Sequence, residues 1–158
     1  MSVTVALDRR LVPAGEPCTR YLRVVIQAPD AAPGSQRHPL NLALVLDRSG
    51  SMDGQKIELA RSALLQVIRR LAAPDRFAVV AFDDQVEVVV PSTPATPESR
   101  LAAERRVHGM ATRASTDLCG GWLRGCEQVG LHRAAESLGR CLLRTDGLAN
   151  RGIVDPDE

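Results

Sequence analysis

Three oxygen-bearing side chains, Asp47, Ser49 and Ser51, fall on alternate positions in "LVLDRSGSM", where an apolar run gives out. A second apolar run, "GRCLLR", is followed at once by "TDG", which carries Asp146. Carboxylates and hydroxyls are hard oxygen donors. They suit Mg²⁺, Mn²⁺ or Ca²⁺, whereas zinc and copper favour His and Cys side chains, which "DRSGSM" and "TDG" lack. Alternate residues of a tight loop can turn toward one point, and Gly50 relieves the crowding between them. Two carboxylates neutralise a divalent ion and hydroxyls add ligands without charge, so the ion retains room for one more anionic ligand. The same residue types also cap helices by accepting hydrogen bonds from unpaired backbone N–H groups. Spacing alone leaves both roles open.

The elements around these residues decide where they would stand. Residues 2–7 and 20–28 read as two strands separated by the Pro/Gly turn "VPAGEP", and "PDAAPGSQRHP" reads as a linker. "LNLALVL" is apolar at successive positions and short, the pattern of a strand covered on both faces in a parallel sheet. From residue 55 to 71 the period changes: Ile57, Ala60, Leu64, Val67, Ile68 and Leu71 share one helical face, and "AAPD" ends it. "RFAVVAF" and "VEVVV" are strands joined by the polar turn Asp83, Asp84 and Gln85, too short a link for a helical crossover. "PSTPATP" reads as a loop, residues 98–107 and 117–129 as helices, the latter weakened by Gly120, Gly121 and Gly125, and "GRCLLR" as a last strand. Strands alternating with helices predict an α/β fold, a mostly parallel sheet with helices on both faces. Ligands bind such sheets beyond the carboxyl ends of the strands, where the strand order reverses. Asp47 and Asp146 both occupy such ends.

Composition removes several function classes. The chain has 158 residues, 44% hydrophobic and 25% charged, with a net charge of +1, which gives no broad field for nucleic acid or acidic lipid. Aromatics at 3% leave little for base stacking. No apolar stretch approaches the roughly 18 residues of a membrane span, and the N-terminus lacks a secretory pattern, so the expected location is cytoplasmic. Cys18, Cys119, Cys126 and Cys141 form no CxxC pair and are expected to be inert thiols. No phosphate-binding glycine loop or G-x-S-x-G elbow occurs, and His38, His108 and His132 read as solvated. Trp122 is expected in the core in preference to an interface.

"LVLDRSGSM" followed by "GQKIELARSAL" resembles the metal-site segment of von Willebrand factor type A (VWA) domains, the fold shared with integrin I domains. The family's metal-ion-dependent adhesion site (MIDAS) combines D-x-S-x-S with a later threonine and a later aspartate. Asp47, Ser49 and Ser51 match the first element, Thr116 in "RASTDLCGGW" the second and Asp146 the third. The resemblance implies a Rossmann-like three-layer α/β/α sandwich of bacterial type over residues 39–158, after an N-terminal β segment and linker over residues 1–38. It also implies a Mg²⁺ site, with Mn²⁺ or Ca²⁺ as alternatives, that binds a partner protein's Asp or Glu carboxylate. Ser49, Ser51 and Thr116 would touch the ion, and Asp47 and Asp146 would act directly or through water. Ala114 and Ser115 stand where two glycines usually precede the threonine, which implies a stiffer loop.

The resemblance points to a non-enzymatic binding module. One alternative is a phosphatase-like hydrolase with Asp47 as nucleophile, but such enzymes carry a second acid two residues on, where Ser49 stands. Another is a VWA subunit of an ATP-driven remodelling or chelatase complex. Family domains continue past "TDG" with further helices and strands, so a truncated sheet with an exposed last strand is expected. On that expectation the chain self-associates or melts poorly. A sharp cooperative melt of a monomer in size-exclusion chromatography overturns it.

Overall fold

The computed structural model describes residues 2–9, 11, 15, 17–27, 37–113 and 115–146. The chain divides into two compact units, Met1–Arg37 and His38–Glu158. In the first, β1 (Ser2–Leu7) and β2 (Leu22–Gln27) pair antiparallel, with Val3 opposite Ile26, Val5 opposite Val24 and Leu7 opposite Leu22. Because side chains alternate along a strand, these six apolar residues share one face of the hairpin. Most of the turn and most of the linker read from the sequence lie outside the described residues.

The second unit is built on β3 (Leu40–Asp47), of which every residue after the first is buried. A strand buried on both faces needs apolar residues on both, and "LNLALVLD" supplies them. β4 (Arg76–Phe82) lies parallel on one side of β3 and β6 (Leu138–Arg144) parallel on the other, while β5 (Val86–Pro94) pairs antiparallel with β4. The strand order β5-β4-β3-β6 reverses direction beside β3. The carboxyl ends of β3 and β6 therefore flank the crevice where a ligand is expected.

Helices cover both faces. On one, Ile57, Ala60, Leu64 and Ile68 of α1 (Gln55–Arg70) and Ala103 and Val107 of α2 (Pro97–His108) pack on Leu42, Leu44, Leu46, Phe77 and Val79. On the other, Leu118 and Val129 of α3 (Leu118–Gly130) meet Ala43, Val45, Val80 and Phe82. The result is the three-layer α/β/α arrangement. α2 starts at a capping box in which Thr96 and Ser99 each accept the other's backbone N–H, with Pro97 as the first helical residue. Asp117 caps α3 through the Gly120 N–H at 2.9 Å.

Three local expectations change. β5 runs on through "PSTP", which read as a loop. Prolines are tolerated there because β5 is an edge strand, where an outward-facing position needs no ladder N–H, and the register shifts between Phe77 and Val79 absorb the irregularity. Trp122 is 41% exposed on α3 and not in the core. The α3 glycines, weak helix formers, are required by close approach. A Cβ on Gly121 would stand 2.6 Å from the Phe82 ring, and one on Gly125 would stand 2.4 Å from Val45 and 2.7 Å from Cys141 Sγ. Burial beside Cys126 pushes the Cys141 thiol up to about 12, so it stays protonated and a poor nucleophile.

Gly121→Val is expected to destabilise the chain by about 1–3 kcal/mol through overpacking against Phe82. Gly130→Ala, where an added Cβ meets nothing within 4 Å, should be neutral or mildly stabilising. Urea midpoints of the two variants check the contrast.

Candidate metal centre

The bonds of the β3 carboxyl end run between side chains. Asp47 is fully buried. Its Oδ1 accepts the Ser49 N–H at 2.8 Å and its Oδ2 accepts the Thr145 hydroxyl at 2.6 Å. Ser49 Oγ and Ser51 Oγ stand 3.1 Å apart, and the Ser51 hydroxyl donates to Asp146 Oδ1 at 3.3 Å. The chain then makes a 3₁₀ turn (Gly50–Met52) and enters α1 from Gly54, whose φ of +75° suits glycine. Neither helical start receives a side-chain cap bond. Asp47, Ser49 and Ser51 therefore cap neither helix: the serine hydroxyls face each other, and Asp47 faces the Ser49 N–H and the Thr145 hydroxyl.

Thr116 is buried, and the backbone on either side of it is fixed. The Arg113 N–H donates to Arg48 O at 2.9 Å and Arg113 bridges to Ser49 as in a parallel strand. The Asp117 N–H donates to Asp83 O at 2.6 Å. Those bonds hold the Thr116 loop beside the β3 loop. Ser115 has a φ of +65°, in the left-handed region where a glycine would rest without strain. Ala114 lies outside the described residues.

Two participants were not visible as such in the sequence. Lys56 Nζ donates to Asp146 Oδ2 and to Ser51 O, both at 3.0 Å, so an ammonium already holds the Asp146 carboxylate against the loop. Its signal was slight: it is the chain's only lysine, in the first turn after the serines. The other is Asp83, which read as a hairpin-turn residue. It is fully buried: Oδ2 accepts Arg48 Nε at 2.6 Å and Oδ1 accepts the Gln85 N–H at 2.7 Å. Burial alone would raise the Asp83 carboxyl, but the Gln85 N–H, the Arg48 guanidinium and Asp84 outweigh it and hold the carboxyl below its usual range.

The donor set fits a small hard cation. It consists of carboxylate and hydroxyl oxygens, and oxygens around an octahedral ion at 2.0–2.1 Å stand about 3 Å apart, close to the hydroxyl spacing seen here. Among the described residues, no group of three or more His, Cys, Asp and Glu is gathered as metal ligands.

The family model of the von Willebrand factor type A domain matches residues 42–147, more than half of the chain. An uncharacterized Synechocystis protein is 43% identical over 91 residues, 57% of this chain and 21% of that protein. Human inter-alpha-trypsin inhibitor heavy chain H1 is 33% identical over 121 residues, 73% of this chain and 13% of that protein. The chain thus spans about a fifth or less of the length of these curated relatives. Likeness of fold extends to the vWF domain of the type V pili tip protein Mfa5 from Porphyromonas gingivalis, with a TM-score of 0.62 at 18% identity, covering 73% of this chain and 40% of that one. Proximal thread matrix protein 1 of the mussel byssus, in a structure with a zinc-occupied MIDAS motif, matches with a TM-score of 0.59 at 15% identity, covering 73% of this chain and 33% of that one.

The scaffold beneath the cluster has a pH signature. A carboxyl whose folded pKa is depressed contributes stability that is complete above its unfolded value, about 3.9, and is lost as pH falls through the folded value. Asp83→Asn should cost about 3 kcal/mol near neutral pH, because it leaves Arg48 buried beside a neutral partner. The gap between wild type and variant should hold constant above about pH 5 and shrink below about pH 4. Urea unfolding between pH 3 and pH 7 measures it.

Proposed function

This chain belongs to the von Willebrand factor type A domain family, whose members are metal-dependent adhesion modules, and we propose that it binds a partner protein's carboxylate through a divalent cation at Asp47, Ser49, Ser51, Thr116 and Asp146. The observation that carries the proposal is that the Ser49 and Ser51 hydroxyls bond each other, while Ser51 bonds Asp146 and Asp47 bonds Thr145 just past β6, and none of the three caps a helix. A cation held by these residues would supply a positive, Lewis-acid centre for an outside Asp or Glu carboxylate. Asp47 and Asp146 contribute the negative charge, and the hydroxyls of Ser49, Ser51 and Thr116 contribute oxygen without overfilling the charge balance. Asp47, dry and held from two sides, is the fixed member of the set. Asp146 is the adjustable one, because Lys56 shares it.

Mg²⁺ is the ion proposed, with Mn²⁺ or Ca²⁺ as alternatives, on the hardness of the donors. The mussel protein with zinc in its MIDAS motif supports the capacity of the fold for a divalent ion. The proposed role is binding and not turnover: Ser49 occupies the place where an Asp47-centred phosphatase would need its acid. Among the described residues, no helix is long and apolar enough to cross a membrane. The four free cysteines fit a reducing compartment, so the cytoplasm is the location proposed.

Isothermal calorimetry with Mn²⁺ tests the site. Wild type should bind, and Asp47→Ala should lose about 100-fold or more in affinity, with its fold checked by circular dichroism. A capped peptide with a single glutamate should bind the Mn²⁺-loaded wild type far more tightly than the metal-free protein or Asp47→Ala. Equal Mn²⁺ binding by both proteins, or none by either, refutes the proposal.

A further inference from the structure

Beside the oxygen cluster lies an open cavity of about 530 Å³ that the metal site does not use, lined by Arg48, Glu87, Val89, Arg106, Met110 and Arg113 among others. It adjoins the candidate centre directly. Arg48 sits between Asp47 and Ser49, and Arg113 is bridged to Ser49 at the start of the Thr116 loop. The same five-residue loop therefore turns its oxygens toward the cation position and its guanidinium toward this cavity.

The three arginines of the lining are not equally committed. Arg48 is buried and doubly compensated, by Asp83 at 2.6 Å and by Glu87, the one acid of the lining, at 2.7 Å. Arg106 gives Nη1 to the carbonyl of Val89 at 3.0 Å. Arg113 gives Nη1 to the amide oxygen of Gln85 at 3.4 Å and keeps 4.0 Å from Asp83, whose Oδ2 is already bonded to Arg48. Neutral acceptors thus orient the Arg106 and Arg113 guanidiniums into the cavity without discharging them. Nor does the end of α2 consume them, since the Gly109 and Met110 N–H groups bond the Arg105 and Val107 carbonyls there. Guanidinium forks match carboxylates in a bidentate geometry, and the buried Val89 and Met110 give the cavity an apolar floor for the side chain that carries one.

We propose that this cavity is a second carboxylate site, and that the partner is an acidic protein segment with one carboxylate for the cation and another for Arg106 and Arg113. The proposal rests on the metal reading above for its first contact, whereas the arginine contact stands on its own. Each contact alone is weak and screened by salt. Once the first carboxylate is bound, the second meets its arginines at an effective concentration in the millimolar range, which selects clustered acids over single ones. With an overall net charge of +1 and 3% aromatics, a nucleic acid is the less suited polyanion.

Tetraglutamate is the probe, titrated with and without Mn²⁺ at low salt and followed by NMR shifts of wild type, Asp47→Ala and the double variant Arg106→Glu/Arg113→Glu. Both arginine side chains stand on exposed residues, and thermal melts confirm that the double variant folds. Wild type should bind weakly without Mn²⁺ and at least about 10-fold tighter with it. The double variant should lose the metal-free binding while keeping its Mn²⁺ affinity, and Asp47→Ala should keep the weak binding but not the tightening. Arginine-dependent binding that Mn²⁺ never tightens refutes the metal reading and leaves the cavity site standing. Equal tetraglutamate binding by wild type and the double variant, or no binding by wild type in either condition, overturns the cavity site. Tighter arginine-dependent binding of a single-stranded oligonucleotide overturns the choice of an acidic protein segment.

Discussion

A guanidinium at the end of β3 closes on a carboxylate at the end of β4: Arg48 and Asp83, both buried, meet at 2.6 Å. Removing two charges from water is costly, and the pair is tolerable only because the rest of their bonding capacity is used. Asp83 also accepts from the Gln85 backbone, and its carbonyl takes the Asp117 N–H. The Arg48 N–H donates to the Phe82 carbonyl, and the Arg48 carbonyl takes the Arg113 N–H. Two residues therefore fasten three loops: the one after β3, the β4–β5 hairpin, and the one that carries Thr116. The oxygen cluster itself contains nothing so rigid. Its geometry is inherited from this pair.

The alternation of the loop explains how one short stretch faces two ways. In extended backbone, successive side chains point to opposite sides. Asp47 and Ser49 share one side, while Arg48 between them enters the buried pair and the arginine-lined cavity. An insertion of one residue between Asp47 and Ser49 would move Ser49 to the opposite side from Asp47. The spacing of two is thus a geometric requirement for separating cationic from anionic groups that are neighbours in sequence.

Most of this frame was legible from residues alone, for reasons that can be named. β3 has apolar residues on both faces and α1 a clean helical stripe, so burial dictated both the element and its place. β3 and β6 each read as a strand that stops at a carboxylate, but their parallel pairing, which brings Thr145 to Asp47 and Asp146 to Ser51, is a finding of the fold. What escaped were features set by tertiary approach. Gly121 and Gly125 lower helix propensity, yet α3 needs them to reach Phe82 and Val45. Trp122 looked like core because tryptophan usually is, but its neighbour Gly121 is the residue that faces the sheet, which turns Trp122 outward. Asp83 looked like a turn residue because its partner lies 35 positions away.

Burial does not separate a structural carboxylate from a binding one in this chain, but the nature of the donors does. Asp75, at the opposite end of the two central strands, is as fully buried as Asp47. Its two oxygens accept the Leu40 N–H at 2.9 Å and the Ala72 N–H at 2.6 Å, backbone donors that need an acceptor whatever the protein does. Asp47 accepts one backbone N–H and one hydroxyl, and stands in line with Ser49, Ser51 and Asp146, each rich in lone pairs. Lone pairs thus gather beside Asp47, and the proposed partner of such a set is a positive charge. Lys56 supplies part of that charge from the solvent side, through Asp146. The donors to Asp47, the Ser49 N–H and the Thr145 hydroxyl, are neutral. It is this imbalance, and not the depth of Asp47, on which the proposed cation site at the end of β3 rests, while Asp75 serves as a strut.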